Sequence, residues 1–319
     1  MTVGVLLVGY ALAVGTVGTL GLQRSTWTLR APRLGAVSLL AAAWSVPLAL
    51  VLAGVTVALP ASELTLDLGR LFGACVVRLR AAYGTSAGTG IVTGGQLLTL
   101  ATLGRIGWTS ARMVYRRRLT RRRHHLLMRL AGCRRADLPA VVLDSRGPAA
   151  YSLAGRRATV VVTSGAIDLL SARELDAVLA HEDAHLRGRH HRLLVAAALI
   201  AEALPMVPLA RQTPARVGRL LEMDADERAA RHHEPRVLAS ALVAIAASAV
   251  TPGGRAGMPR EAHPPRPGAG AEAAARVGRL LRPPARLTAS GRLVTSAGMV
   301  AVTTAPIVLA VAPALAAYR

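Results

Sequence analysis

The residues best suited to chemistry in this chain lie in the pentapeptide His181-Glu182-Asp183-Ala184-His185. The surrounding segment has a helical pattern, and positions i and i+4 of a helix share one face, so both imidazoles can bind a single Zn²⁺ ion. Glu182 lies beside them, where it can take a proton from a metal-bound water. The pentapeptide therefore predicts the zinc site of a peptidase. The alternative is a surface helix with two solvated histidines.

A catalytic zinc site usually has three protein ligands and one position for water, so a further ligand must come from another element. Glu222 and Asp226 lie four residues apart in a second polar segment and share a helical face. We predict Glu222 as the third ligand of one zinc ion per chain. Asp226 is then the carboxylate that holds a ligating histidine through its far nitrogen. On the alternative interpretation, both acids pair with Arg219 and Arg228 on a charged surface helix.

Four more histidines are candidate ligands, namely His190, His191, His232 and His233. Because adjacent histidines cannot both point at one metal, we expect them to be solvated or at interfaces. Zinc lowers the pKa of its bound water to about 7 and polarises the scissile carbonyl, and Glu182 passes the water proton to the leaving amine. A positive or hydroxyl group must stabilise the oxyanion. The motif itself does not identify that group.

The elements that position these residues follow from turn signals and apolar periodicity. Ser171 and Glu174 form an S-x-x-E capping box that opens the helix of the metal motif. The apolar segment 193–210 is interrupted by Glu202, Pro205 and Pro208, which favours a buried or membrane-surface hairpin over a span. The other predicted elements are short strands at 140–144, 149–153 and 158–163, helices at 166–170, 215–233, 237–250 and 276–281, and a Pro/Gly-rich flexible loop at 251–270.

Hydrophobic residues make up 52% of the 319 residues, a proportion typical of a chain with several membrane spans. Four segments reach the roughly 20 apolar residues that a bilayer requires. Residues 1–110 are predicted to contain three of these spans, at about 3–22, 35–59 and 87–108, and the fourth is predicted at 293–317. A basic juxtamembrane segment, 111–137, precedes the peptidase domain at 138–285. The first span lacks the basic start and cleavage site of a signal peptide.

The charge distribution predicts the orientation in the membrane. The net charge of +22 is due to arginine alone, because the chain contains no lysine. Eleven arginines and no acidic residue lie between Arg105 and Arg135, which places this side in the cytoplasm. The N-terminus is then outside and the metal motif faces the cytosol. The cluster Arg116–Arg123 also resembles a nucleic-acid site, but without interleaved aromatic residues it fits a topology determinant better. We expect no specific nucleic acid as a partner.

Together these motifs resemble the membrane-embedded zinc metallopeptidases of the gluzincin group. The segments that carry the resemblance are 149–152, 160–165, 174–185 and 222–226. Within that group, the chain resembles two related families. One is the antirepressor-type sensor peptidases of the BlaR/MecR kind, and the other is the HtpX-type heat-shock proteases with the CAAX prenyl endopeptidases. The resemblance implies a mainly α membrane protein of about four transmembrane helices. Its cytoplasmic α+β H-E-x-x-H domain is zincin-like and carries a small β-sheet with an exposed edge.

The resemblance also assigns residues to roles. It implies that His181, His185 and Glu222 bind zinc and that Glu182 is catalytic. The strand that contains Ala150, Tyr151 and Ser152 is implied to be an edge to which an extended substrate adds. A late His-Pro and a following Arg assist at the oxyanion in the HtpX-like pattern, and His263 and Arg276 are the counterparts here.

The predicted function is hydrolysis of peptide bonds in protein substrates at the cytoplasmic face of a bacterial plasma membrane. Regulatory cleavage of a transcriptional repressor is the favoured role, and quality control of membrane proteins is the alternative. A third class is a catalytically silent membrane scaffold, but a decayed site would first lose a histidine or the base. The predicted partners are the lipid bilayer and a protein substrate.

Overall fold

The computed structural model describes residues 2–58, 88–135, 137–155, 158–248 and 269–316. Within these ranges the chain forms eleven helices and one small sheet. The helices are α1 (Thr2–Arg24), α2 (Trp27–Arg30), α3 (Pro32–Ala58), α4 (Gly88–Ala131), α5 (Ser164–Leu169), α6 (Ala172–Arg187), α7 (His190–Ala203), α8 (Pro208–Ala229), α9 (Pro235–Ser248), α10 (Ala269–Leu281) and α11 (Ala289–Ala316). The strands are β1 (Gly132–Arg134), β2 (Val141–Leu143), β3 (Ala150–Leu153) and β4 (Thr159–Thr163).

Among the residues that the structure describes, two helices are long and apolar enough to cross a membrane, over Pro32–Val57 in α3 and Ala289–Ala312 in α11. They correspond to the spans predicted at 35–59 and 293–317. The apolar part of α1, Thr2–Gly18, is shorter than a full span. Helix α4 covers the span predicted at 87–108, where glycines, threonines and Gln96 lower the hydropathy. The arrangement with four spans therefore remains a prediction.

Helix α3 is the central packing element of the apolar helices. Small residues on one side, Ala49 and Ala53, pack with Leu7 of α1 and Ala310 of α11. The backbone of α4 also approaches α3 closely, because a Cβ on Gly54 would overlap the carbonyl oxygen of Gly95. Without side chains at this crossing, the two helices can lie in direct contact.

The sheet has the order β1-β2-β4-β3, with β2 parallel to β4 and the outer strands antiparallel to their neighbours. Side chains of β4 alternate between its faces: Val160 and Val162 pack towards α6, whereas Val161 packs against Tyr151. Strands β2, β3 and β4 lie within the three predicted strands. Strand β1 was not predicted, and it brings residues 132–134 into the sheet ahead of the predicted domain start at 138.

A tight turn connects β4 to α5, and Gly165 is essential to it. The N–H of Gly165 donates to the carbonyl of Ser145 at 2.9 Å. A Cβ on Gly165 would overlap the carbonyl of Arg146, so the residue must be glycine. Thr163 caps α5 by accepting a hydrogen bond from the N–H of Ala166. The helix therefore begins at Ser164, two residues before the predicted start.

The interrupted apolar segment forms a helical hairpin that lies along α3. Helix α7 ends at Ala203 and α8 begins at Pro208, in agreement with the predicted break. Buried residues of the hairpin, including Ile200, Leu209 and Leu221, pack against Leu39 and Ala43 of α3. At the end of α7, the Nε of Arg105 donates to the carbonyl of Ala203 at 2.6 Å. The hairpin thus joins α6, which carries His181 and His185, to the apolar helices.

Helix α10 is longer than the predicted segment 276–281, since it begins at Ala269. It docks on α8 through two ion pairs, Arg276 with Asp226 and Arg279 with Glu227. Its Leu280 is buried in the same apolar cluster as Leu238 of α9. Most of the loop predicted at 251–270 lies outside the described residues, and its last two residues belong to α10.

Candidate metal centre

Helix α6 places the two motif histidines on one face. The capping box is present at its start: the Oγ of Ser171 accepts from the N–H of Glu174, and the Glu174 carboxylate accepts from the N–H of Ser171. The opposite face of α6 is buried against β4 in an apolar cluster that includes Val178. The imidazoles of His181 and His185 therefore turn towards α8, and their Nε2 atoms lie 3.1 Å apart.

Glu222 of α8 brings a carboxylate to the same point. Its Oε2 lies 3.5 Å from the Nε2 of His181, and its Oε1 lies 3.6 Å from the Nε2 of His185. Ligand atoms at about 2.0–2.1 Å from zinc in tetrahedral geometry are about 3.4 Å apart. Two imidazole nitrogens and one carboxylate at these separations fit a zinc ion with a position left open. Among the described residues, this is the cluster that could hold a metal.

Asp226 holds His181 from the side away from this point. Its Oδ1 lies 2.9 Å from the Nδ1 of His181, as the sequence predicts. The Nε and Nη2 of Arg276 donate to the two oxygens of Asp226 at 2.8 and 2.6 Å. The Nη1 of Arg276 lies 3.1 Å from the Oε2 of Glu222. Arg276 thus bridges the buried carboxylate of Asp226 and the half-buried carboxylate of Glu222, and its guanidinium lies at the centre itself.

The charges at the centre suit metal binding. Burial lowers the pKa of His185 to about 4, so this ligand is neutral near pH 7. Burial also opposes a charge on His181, but Asp226 and Glu222 outweigh it and raise the pKa of His181 to about 9. Burial raises the pKa of Glu222, yet His181 and Arg276 outweigh that effect and keep it well below its usual range. A bound metal would therefore compete with a proton on His181.

Glu182 lies beside the centre, and the pKa of its carboxyl group is close to neutral pH. Burial is the main cause that raises its pKa to about 7, and the side chain of Ser152 on β3 forms a hydrogen bond that opposes the rise. A carboxyl group with this pKa can both accept and return a proton at physiological pH. Glu182 thus interacts with His181 of the centre and with Ser152 of the sheet.

Comparison with known proteins agrees with this geometry. Residues 116–268 match the sequence profile of peptidase family M48. A peptidase family M48 domain is therefore present in this chain. Two proteins named Protease HtpX homolog 2, from Methanosarcina mazei and Methanosarcina acetivorans, are each 34% identical over 100 residues. The alignment covers 30% of this chain and 33% of each relative, so the chain spans about a third of the relatives it matches. No solved structure gives a significant match.

The strand predicted to receive substrate lies at the edge of the sheet. Strand β3 pairs with β4 on one side and has no strand neighbour among the described residues on the other. Within β3, the side chain of Tyr151 is buried on one face of the sheet, whereas those of Ala150 and Ser152 are half-buried on the opposite face. Ser152 is the residue that contacts Glu182. The position agrees with the expectation, and the binding of substrate at β3 remains a prediction.

The expectation that His190 is solvated or interfacial was wrong. Its side chain is 0% exposed, its Nδ1 lies 3.0 Å from the Nδ1 of His185, and its Nε2 lies 2.9 Å from the Oδ2 of Asp224. Asp224, between Glu222 and Asp226, was not predicted as a site residue, yet it is the partner of His190. The available signal was helical spacing: because Asp224 is offset from Glu222 by two residues, it faces a different neighbour. His232, in contrast, is exposed as expected.

The structure brings together most of the predicted site residues. His181, His185, Glu222, Asp226 and Arg276 converge within one centre, and Glu182 lies next to it. His263 lies outside the described residues. Of the basic cluster, Arg116 and Arg118 are exposed on α4. The catalytic roles of these residues and the absence of a nucleic-acid partner remain predictions.

Proposed function

We propose that this protein is an integral-membrane, zinc-dependent endopeptidase that acts at the cytoplasmic face of a bacterial plasma membrane. One observation carries the proposal: His181, His185 and Glu222 place three ligand atoms within 4.8 Å of one another, inside a segment that matches a peptidase family. On a charged surface helix, two imidazoles and a carboxylate would be exposed to water, whereas here His181 is buried and His185 and Glu222 are partly buried at a common point. The bound metal would be one Zn²⁺ ion.

When bound, zinc lowers the pKa of a coordinated water to about 7 and acts as a Lewis acid on the scissile carbonyl. Glu182 is the general base: one of its carboxylate oxygens takes the proton from the attacking water and later delivers it to the leaving amine nitrogen. Its pKa of about 7 suits both transfers. Asp226 fixes the tautomer of His181, so the Nε2 lone pair points towards the metal position.

Arg276 is proposed to support the oxyanion. A guanidinium has five N–H groups. Three of them face the carboxylates of Asp226 and Glu222, which leaves two for a substrate oxygen. The Nη2 of Arg276 lies 3.5 Å from the Nε2 of His181, so the guanidinium lies next to a nitrogen that would hold the metal. The same carboxylates hold the guanidinium in place before substrate arrives.

The exposed surface of the apolar helices supports four membrane spans. In water, helices with exposed apolar side chains would associate or aggregate. In a bilayer, the same side chains contact lipid tails and need no further partner. Helices α1, α4 and α11 all carry large apolar side chains on their exposed faces, including Val5, Leu12, Leu97, Trp108, Leu293 and Ile307. We therefore place all four helices in the bilayer, and the arginine-rich end of α4 in the cytoplasm.

We further propose that the protease is regulatory and cleaves a transcriptional repressor, as the span arrangement of sensor peptidases suggests. The alternative is quality control of membrane proteins, and similarity to two proteins named Protease HtpX homolog 2 favours it. The catalytically silent scaffold is less consistent with the site, because every ligand and the base are in place.

The test compares cells that express the wild type, Glu182→Gln or Asp183→Asn. Asp183 is the matched control, since it is the next acidic residue on α6 and pairs with Arg187 at the surface. New protein N-termini should appear with the wild type and Asp183→Asn and be absent with Glu182→Gln. Purified Glu182→Gln should still bind zinc, whereas Glu222→Ala should not. Retained cleavage by Glu182→Gln would contradict the mechanism.

The number of new termini distinguishes the two roles. One or two termini, in a transcriptional repressor, would establish regulatory proteolysis and identify the substrate. Many termini across membrane proteins would establish quality control.

A further inference from the structure

The side chain of His190 is buried next to His185, one of the predicted metal ligands. It is fully buried, and its two ring nitrogens face different partners: His185 at 3.0 Å and Asp224 at 2.9 Å. The rings of His185 and His190 meet edge to face, with an interplanar angle of 86°. Asp226 contacts His181 and not His185, so it does not account for the contacts of His190 with His185 and Asp224.

The protons can be assigned along this chain of contacts. A histidine that binds metal through Nε2 carries its proton on Nδ1. His185 therefore donates its Nδ1–H to the Nδ1 of His190, which must be unprotonated. The remaining proton of His190 lies on Nε2 and is donated to the Oδ2 of Asp224. Every ring nitrogen of His190 then has a partner.

We propose that His190 and Asp224 are positioning residues that orient His185 for metal binding. This inference rests on the proposed zinc centre and extends it. Each ligating histidine would then be held by a carboxylate, His181 directly by Asp226 and His185 indirectly through His190. Such supporting groups fix the direction of the ligand lone pair and raise ligand basicity.

The backbone is built to hold His190 in this position. Arg189 has a positive φ of 52°, which turns the chain sharply between α6 and α7. A Cβ on Gly188 would overlap the ring of His190, so a larger residue at 188 would displace the ring. The turn at Arg189 and the absence of a side chain at Gly188 together allow the ring of His190 to contact His185.

Asp224 is held in turn by two arginines. The Nε of Arg228 donates to its Oδ2 at 2.8 Å, and the Nη1 of Arg33 lies 3.8 Å from the same oxygen. Arg33 also donates to the carbonyl of Gly188 at 3.3 Å. The charge on Asp224 is therefore compensated, and its acceptor oxygen stays directed at His190.

Two substitutions of similar size separate hydrogen bonding from packing. His190→Gln keeps an acceptor and a donor on one side chain, whereas His190→Leu keeps the volume and removes both. The full-length protein in detergent is titrated with a chromophoric zinc chelator, and the zinc dissociation constant is measured. We expect a loss of about 10- to 100-fold for His190→Leu and a clearly smaller loss for His190→Gln. Exposed His232→Ala is the control and should bind zinc as the wild type does.

Two further variants keep the test valid if His190→Leu does not fold. Gly188→Ala displaces the ring and Asp224→Asn removes the carboxylate charge, and both should weaken zinc binding. Equal affinity for the wild type and His190→Leu, or equal losses in the Leu and Gln variants, would overturn the inference. Failure of the proposed function is a different result: there the wild type and Glu222→Ala would bind zinc equally weakly.

Discussion

Replacement of Arg276 by methionine should destabilise the protein far more than the same change at Arg135. Both arginines make two hydrogen bonds to one aspartate, at 2.8 and 2.6 Å to Asp226 and at 3.1 and 2.8 Å to Asp137. The two pairs differ in burial. Arg276 and Asp226 are 14% and 2% exposed, whereas Arg135 and Asp137 are 51% and 61% exposed. The two pairs thus differ mainly in burial, and Arg276 in addition contacts Glu222 at 3.1 Å.

The expected magnitudes follow from desolvation. Removal of one partner of a buried ion pair leaves the other charge without water or a counter-ion, which costs about 3–5 kcal/mol. Arg276→Met leaves Asp226 with His181 alone and removes a positive charge beside Glu222. An exposed pair contributes about 0–1 kcal/mol, because water replaces the lost partner. The difference between the two variants should thus be at least about 2 kcal/mol.

The assay is thermal and denaturant-induced unfolding of the metal-free protein in detergent. At about 2–4 °C per kcal/mol, the melting temperature of Arg276→Met should fall by about 6–20 °C. The loss should be smaller with zinc, since the ion also compensates the charge of Glu222. Equal losses for Arg276→Met and Arg135→Met would refute the reasoning, because burial would then not decide the strength of these pairs.

Three further predictions concern the centre and its supports. The pKa of His181 is raised from 6.5 to about 9 in the metal-free protein, so the stability that its proton contributes is full below pH 6.5 and is lost as the pH rises to 9. Unfolding at several pH values with chelator should show this loss, and zinc should remove it. Gly165→Ala should cost about 1–3 kcal/mol of the free energy of unfolding through overlap with the backbone of Arg146. Its control, Gly278→Ala, has open space in a helix and should gain about 0.5–1 kcal/mol. Ser171→Ala should cost about 1 kcal/mol through loss of the α6 cap, as denaturant titration would show.

The parts of the site that could be predicted are those governed by local helical geometry. The spacing of His181 and His185 fixes a shared face whatever the rest of the fold does. Glu222 and Asp226 follow the same rule. The capping box of α6 is local as well, and it was predicted at the residue where the structure has it.

The parts that could not be predicted depend on contacts between distant segments. Strand β1 has three residues, Gly132–Arg134, and this is too short to show alternation, so only its pairing with β2 reveals it. The burial of His190 arises from the turn at Arg189 and from Asp224, which is 34 residues away. Helix α10 extends to Ala269 through alanines that carry little periodic signal.

In the part of the chain that the structure describes, β3 has a free edge, and the proposed addition of substrate to this edge would influence the choice of substrate. A strand that pairs through its main chain accepts several consecutive residues in extended form, and folded proteins keep such segments paired or buried. Cleavage would then be limited by the fraction of time that a segment of the substrate is locally unfolded. Each additional 1.4 kcal/mol of local stability in the substrate would slow its cleavage about tenfold. Selection would thus depend on the folding equilibrium of the target as much as on its sequence.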